Sequence, residues 1–294
     1  MAIKESKSRK AFNIFNICFM LFLIIITAYP LYYVLIASIS DSNELMRETG
    51  LLLLPKKMNF AAYASVFKNP NILRGYKNTL IILVLGVSVN MVLTSMTAYA
   101  LSRKGAMFTN AITMFIIFTM FFGGGLIPTY LLVNNLGITN TYWAVVLPCA
   151  MSAYNFIIMR TGFTAIPESI EEAARIDGAG HFTIFLKIFL PLSKATVAVI
   201  LLYYCVGHWN SWFSAMIYMQ KARELQPLQL VLRGILIAND TNSMAGGDAG
   251  VDREAIGESI KYAVIVVSTL PILILYPFLQ KYFVQGVMIG AVKG

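Results

Sequence analysis

Residues Ile166–Pro191 read IPESIEEAARIDGAGHFTIFLKIFLP, a polar island inside a very apolar chain. Its front end carries the grammar of a helix start. Pro167 suits a first helical turn, and Glu168, Glu171 and Glu172 put negative charge at the positive end of the helix dipole. Gly178 and Gly180 then stop the helix. About ten residues of helix are only about 15 Å long, roughly half a hydrocarbon core, so a segment this charged cannot cross a bilayer and must lie outside the lipid. Ile170, Ala173, Ala174 and Ile176 form a small apolar face beside the acidic one, a combination that suits a groove on a soluble partner. A helix resting on the membrane surface is the other reading of such a stretch, but an anionic bilayer favours Lys and Arg where this face has acids.

Around the island, composition points to a membrane. The 294 residues are 58% hydrophobic and 13% charged, with a mean hydropathy of +0.70, values of a multi-span membrane protein. The net charge of +9 is a topology signal before it is a ligand signal, because basic residues collect at cytoplasmic membrane edges. No Lys/Arg run interleaves with aromatics, so nucleic acid is not an expected partner. Cys18, Cys149 and Cys205 fall in apolar runs with no CxxC pair and no His at ligand spacing, which leaves neither a disulfide nor a metal site to expect.

Charge-free runs set the spans. Lys4, Lys7, Arg9 and Lys10 precede a run from Ala11 to Ser40, too long for a signal peptide's apolar region, so a retained first span is expected at about 13–37 with its start in the cytoplasm. The segment Asp41–Lys77 reads as external turns and short helices. A second span at about 79–101 closes on Arg103 and Lys104. The stretch from Gly105 to Met159 has no charge and room for two spans, about 108–132 and 142–160, parted by a turn near Val133–Asn140. That returns Arg160 and the island, 166–191, to the cytoplasm. A fifth span is expected at about 196–219, an external loop at 220–261 and a sixth span at about 262–280. The expected fold is therefore all-α, six transmembrane helices in a single transmembrane domain over 1–294, with both termini cytoplasmic. Orientation rests on the short loops, since the 23 Lys and Arg of the whole chain divide almost evenly, 12 inside and 11 outside.

Within the island, Glu172-Ala173-Ala174 is followed by three residues, Gly178, nine residues, then Ile188, one residue, Leu190 and Pro191. This spacing resembles the EAA loop of the membrane subunits of ABC importers at every fixed position. The chain's ending, Gln280 to Gly286 and then Gly290-Ala291-Val292-Lys293-Gly294, is similar to that of carbohydrate-importer permeases like the smaller membrane subunit of the maltose transporter. Asn78-Thr79-Leu80 and the Trp209-Asn210 pair also fit, and the resemblance runs from about Arg74 to the C-terminus, with a core at about 74–285. Gly123 to Tyr130 is similar to a subgroup associated with oligosaccharide uptake, including uronic-acid-rich fragments.

The resemblance implies a bacterial cytoplasmic-membrane permease for a carbohydrate, paired with a second, homologous permease and served by an extracytoplasmic solute-binding protein. Two ATP-binding cassette subunits would carry ATP and Mg. It also implies that Glu171, Glu172, Ala173, Ala174, Asp177 and Gly178 couple to an ATPase, with Glu172 pairing with a basic residue in the ATPase groove. The tail Gly290, Ala291, Val292, Lys293 and Gly294 would enter the ATPase dimer. Met244, Gly246, Gly247 and Asp248, in the Gly-rich stretch Asn239–Asp252, would form a scoop into the binding protein. Independently, no G-x-x-x-x-G-K-[ST] occurs, so the chain has no phosphate cradle and must borrow ATP energy from another subunit. It is not expected to be an enzyme or to bind a cofactor itself.

The substrate path is less sharply marked. Tyr204, Trp209, Asn210 and Trp212 of the fifth span offer aromatic platforms and an amide, as a sugar needs, or else an interfacial aromatic belt with Asn210 bonding a neighbouring helix. Asn90, with Ser88, Thr94, Ser95 and Thr97, makes a polar stripe that suits packing between helices more than sugar contact. Gly123–Gly125 and Pro128 would break or kink the third span, for a cavity or for close packing. A membrane enzyme, a channel or a secondary transporter would use intramembrane acids, ionisable clusters or an inverted repeat, and the expected spans hold one histidine, His208, and no acid. A permease for a non-sugar solute remains the nearer alternative.

Overall fold

The computed structural model describes residues 6–47, 50–55, 57–103, 105, 107–237 and 259–274. The helices in chain order are α1 (Lys7–Ser38), α2 (Ser42–Arg47), α3 (Ala61–Lys68), α4 (Pro70–Ser102), α5 (Thr109–Phe121), α6 (Leu126–Asn135), α7 (Trp143–Val146) and α8 (Ala153–Thr164). After them come α9 (Glu168–Ile176), α10 (His181–Ile184), α11 (Leu190–Leu192), α12 (Lys194–Trp209), α13 (Phe213–Tyr218) and α14 (Leu228–Ile237), and α15 (Ser259–Ile274). Among the described residues there is no strand, only an isolated antiparallel bridge between Ser40 and Met58. The helices divide into two compact units, Met1–Asn69 with Gly234–Leu270, and Pro70–Arg233 with Pro271–Gly294.

In the first unit, α1 starts at Ser6, whose hydroxyl accepts the Arg9 N–H at 3.3 Å, an N-cap that satisfies one of the helix's free donors. Its 32 residues make about 48 Å, enough to cross a bilayer. Its C-terminal end is held by serines. Ser38 Oγ bonds the Leu35 carbonyl and the Tyr63 hydroxyl, both at 2.7 Å, and Ser42 Oγ donates to Ser259 Oγ at 2.8 Å. Ala37, Leu45 and Leu52 form the small core, closed by Tyr33 against Tyr262 edge-on at 5.8 Å.

The second unit is built on α4. Its buried residues include Gly75, Asn78, Thr79, Ile82, Gly86, Asn90, Thr94, Ala98 and Leu101, spaced three or four apart so that they lie on one face. That face is mostly small or polar, whereas Leu80, Val84, Val92 and Met96 on the other side are exposed. Small residues let helices approach where apolar burial cannot drive association in lipid, and α8 and α12 pack on this face. Pro70 opens α4, so the helix begins well before the expected span.

α1 and α4 are each long and apolar enough to cross a membrane, and three bent pairs reach that length together. The third expected span is broken as Gly123–Gly125 suggested: α5 ends at Phe121, Gly125 takes φ +84°, and α6 leaves at 113° to α5. The fourth bends by 54° between Trp143–Cys149 and α8. The expected turn is present, with Gly137 and Asn140 at positive φ, and the Asn140 N–H on the Tyr218 carbonyl at 2.8 Å.

The fifth departs from expectation. A continuous helical run, His181–Leu192, precedes α12 at 86°, and α12 ends at Trp209 instead of continuing to 219. There Asn210 closes the helix, its backbone and side-chain amides both on the Val206 carbonyl, and the chain restarts at Phe213. The expected external loop contains a helix, α14. Asn78 explains its seat: the amide donates to the Glu224 and Gln226 carbonyls at 2.7 and 2.9 Å and accepts from the Tyr142 hydroxyl, while Thr79 Oγ1 accepts the Leu228 N–H.

Candidate functional site: the α9 helix and its seat

α9 starts where the acids predict. Pro167 stands just outside as the capping position, Glu168 and Glu171 are in the first turn, and Arg175 is in the last. Its end is a Schellman motif: the Ala179 N–H reaches the Ala174 carbonyl at 2.9 Å and the Gly178 N–H the Arg175 carbonyl at 3.0 Å. That geometry requires a left-handed residue, and Gly178 supplies it at φ +82°.

The residues expected to couple are divided between two faces. Glu172, Ala173, Asp177 and Gly178 are exposed, whereas Glu171 and Ala174 are buried. Beside Glu172 on the open side stands Ile176, 86% exposed. Glu171 points the other way. Its Oε2 accepts from Arg103 Nη1 at 3.3 Å, with both side chains 9% exposed, and its Oε1 accepts from Arg175 Nη2 at 2.7 Å. The inward turn follows from helix period: with Ala174 and Glu171 three apart, the carboxylate shares the face that packs.

Arg103 is satisfied on every side. Nη2 donates to the Phe163 carbonyl at 2.6 Å and Nε to Ser102 Oγ at 3.0 Å, and the guanidinium lies 4.4 Å over the Phe189 ring. A buried ion pair is tolerated when its remaining donors find partners, as here. Below it Phe163, Phe185, Phe189 and Tyr99 form an aromatic seat, with Tyr99 5.3 and 5.0 Å from Phe185 and Phe189. The Tyr99 hydroxyl is buried there without a hydrogen-bond partner. Phe185–Phe189 form a π-helical turn, a local widening that brings both rings to the same side. Beside the seat a cavity of about 1010 Å³ is lined by Arg103, Phe108, Arg160, Thr164, Pro167 and Glu168, among others. Arg160 Nε donates to the Leu101 carbonyl at 2.8 Å, tying α8 to the end of α4.

The substrate-path candidates fall into two groups. Asn90 and Tyr204 bind helices together. Asn90 donates to the Cys149 carbonyl at 2.5 Å and its Oδ1 lies 2.6 Å from His208 Nε2, while the Tyr204 hydroxyl meets Thr94 Oγ1 at 2.7 Å and accepts the Ser152 N–H at 3.1 Å. Trp209, Asn210 and Trp212 gather at the end of α12. Trp209 is buried beside Tyr76 with its indole N–H unpartnered, Asn210 is exposed, and Arg233 lies 4.9 Å over the Trp212 ring. Met244, Gly246, Gly247, Asp248 and Gly290 to Gly294 lie outside the described residues.

Arg103 and Asn78 were not singled out by the sequence as structural anchors. Arg103 reads only as a basic residue at a span's end, and its partner Glu171 is 68 positions away, beyond any local pattern.

Residues 82–289 match the family model described as "Binding-protein-dependent transport system inner membrane component". The chain is 40% identical to Protein LplC of Bacillus subtilis (strain 168), over 99% of each chain. It is 37% identical to the Polygalacturonan/rhamnogalacturonan transport system permease protein YtcP of the same organism, over 94% of this chain and 96% of that one. In three dimensions it resembles a chain from the crystal structure of a bacterial ABC transporter involved in the import of the acidic polysaccharide alginate. The TM-score is 0.87 at 31% identity, over 96% of this chain and 100% of that one.

Proposed function

Because the chain belongs to the family of binding-protein-dependent transport system inner membrane components, we propose that it is a permease subunit of an ABC importer that moves oligosaccharides by alternating access. Permeases of this kind carry no ATPase site of their own. The partners are a second, homologous permease, two ATP-binding cassette subunits holding ATP and Mg, and an extracytoplasmic solute-binding protein. Six crossings place both termini and α9 in the cytoplasm: α1, α4, α5 with α6, α7 with α8, α12 with α13, and a sixth at about 262–280. The tail Gly290–Gly294 reaches the ATPase dimer, and the loop around Gly246 enters the binding protein.

The exposed face of α9 carries this reading. Glu172, Ala173 and Ile176 stand in the open on a helix whose opposite face is locked to the bundle, the arrangement of a handle gripped by a groove with a basic residue in it. Ile176 adds an uncovered apolar side chain to that face, which a docking groove would bury. Reconstituted with its partners in liposomes, the chain should import oligosaccharide only with ATP at the ATPase and loaded binding protein outside. Uptake that persists without the ATPase subunits would make it a secondary transporter or channel instead.

Uronic-acid-bearing oligosaccharides come first as substrates, since the name of YtcP gives polygalacturonan and rhamnogalacturonan and the solved neighbour is involved in import of the acidic polysaccharide alginate. A thermal-shift screen of the cognate binding protein should show stabilisation by oligogalacturonates. Stabilisation by neutral oligosaccharides or non-sugar solutes alone would overturn this choice.

A further inference from the structure

We propose that Arg103 is a positioning residue that makes α9 move as one body with the adjoining ends of α4 and α8, an inference that rests on the docking of α9 to an ATPase. A single guanidinium at the end of α4 holds the Glu171 carboxylate on α9, the Phe163 carbonyl on α8 and the face of Phe189 in the π-helical turn. These are three elements gripped by one planar group with donors fixed in one fork, which a Lys point charge cannot reproduce. The side chains of Arg103 and Glu171 are both nine-tenths buried, so this is not a screened surface pair.

The chain connections of α9 would not transmit force alone. On one side stands the bend Ala165–Pro167, and on the other the Gly178–Gly180 turn after the helix. Pulled only through those links, α9 would swivel. With Glu171 held, displacement of its outer face reaches α4 directly, and α4 is the helix on which α8 and α12 pack.

The test uses the full complex with its ATPases and binding protein in liposomes. The double variant Arg103→Met with Glu171→Leu removes both charges at similar volume, so neither is left buried alone. The expected result is normal retention of the ATPase subunits with sugar transported per ATP hydrolysed falling tenfold or more. Arg103→Lys, which keeps the charge and loses the fork, should give an intermediate ratio. A wild-type ratio in the double variant overturns the proposal, and so does loss of the ATPases, which would assign the pair to shaping the docking face.

A second measurement leaves Arg103 and Glu171 intact. Spin labels at Thr161 on α8 and Ser169 on α9, both exposed, should keep one distance with and without ATP. A change of several ångströms means that α9 swivels and ends the proposal. Failure of docking itself is read separately: Glu172→Lys combined with Ile176→Asp should release the ATPases, and full retention by that variant removes the premise whatever Arg103 does.

Discussion

His208 fits against Gly86. Its Nε2 lies 2.6 Å from Asn90 Oδ1, and a methyl group added at Gly86 would overlap the imidazole ring. In an open helix Gly→Ala would stabilise by about 1 kcal/mol, but overpacking a tight contact costs about 1–3 kcal/mol. Gly86→Ala should therefore lower the melting temperature of the purified chain. A raised or unchanged value would show that the imidazole gives way at no cost.

Glu172→Lys should leave membrane insertion intact and uncouple transport from hydrolysis. An exposed ion pair contributes only about 0–1 kcal/mol, but reversing one charge of a desolvated interface pair costs about 2–5 kcal/mol. Sugar uptake and ATPase turnover measured side by side decide it, and unchanged uptake removes Glu172 from docking.

Gly178→Ala puts a side chain at φ +82°, which costs about 1–2 kcal/mol. No atom crowds that position, so the effect is strain alone. It should fray the end of α9 and weaken ATPase retention several-fold in a pull-down while the chain still folds. Retention equal to wild type would make Gly178 a helix stop and nothing more.

Deleting Met244–Gly250 should leave docking of the solute-binding protein measurable and reduce both transport and stimulated hydrolysis. The stretch includes Gly246, Gly247 and Asp248 and lies outside the described residues. Full uptake after the deletion would identify it as a linker.

Removing Val287–Gly294 should preserve pairing with the second permease and weaken ATPase assembly. On the proposed reading, Gly290 and Gly294 would let the backbone pass between close surfaces. Wild-type assembly, measured by co-purification, would mean that the tail is only a frayed end.

The sequence made α9 legible almost to the residue, because Pro167, the acids and Gly178 are local signals with local causes. The break after Phe121 was legible too, from three glycines in a row. The end of α12 at Trp209 was not: Asn210-Ser211-Trp212 holds no Gly or Pro, and an apolar run looks the same whether or not its helix is interrupted. Glu171 was expected among the coupling residues without any sign that it turns inward, since that depends on Arg103, which only folding brings near. For Asn90 the polar stripe favoured packing, and His208 and the Cys149 carbonyl are its packing partners.

The 86% exposure of Ile176 bears on the lifetime of the chain. Covering an isoleucine contributes about 1.5–3 kcal/mol, and a ligand that binds only the folded form raises its stability by mass action. On the docking reading, a newly made copy without an ATPase is both less stable and stickier than one in a complex. Cellular quality control acts on such differences. On that reading the amount of the subunit would follow the supply of an ATPase partner, with unpartnered copies cleared first.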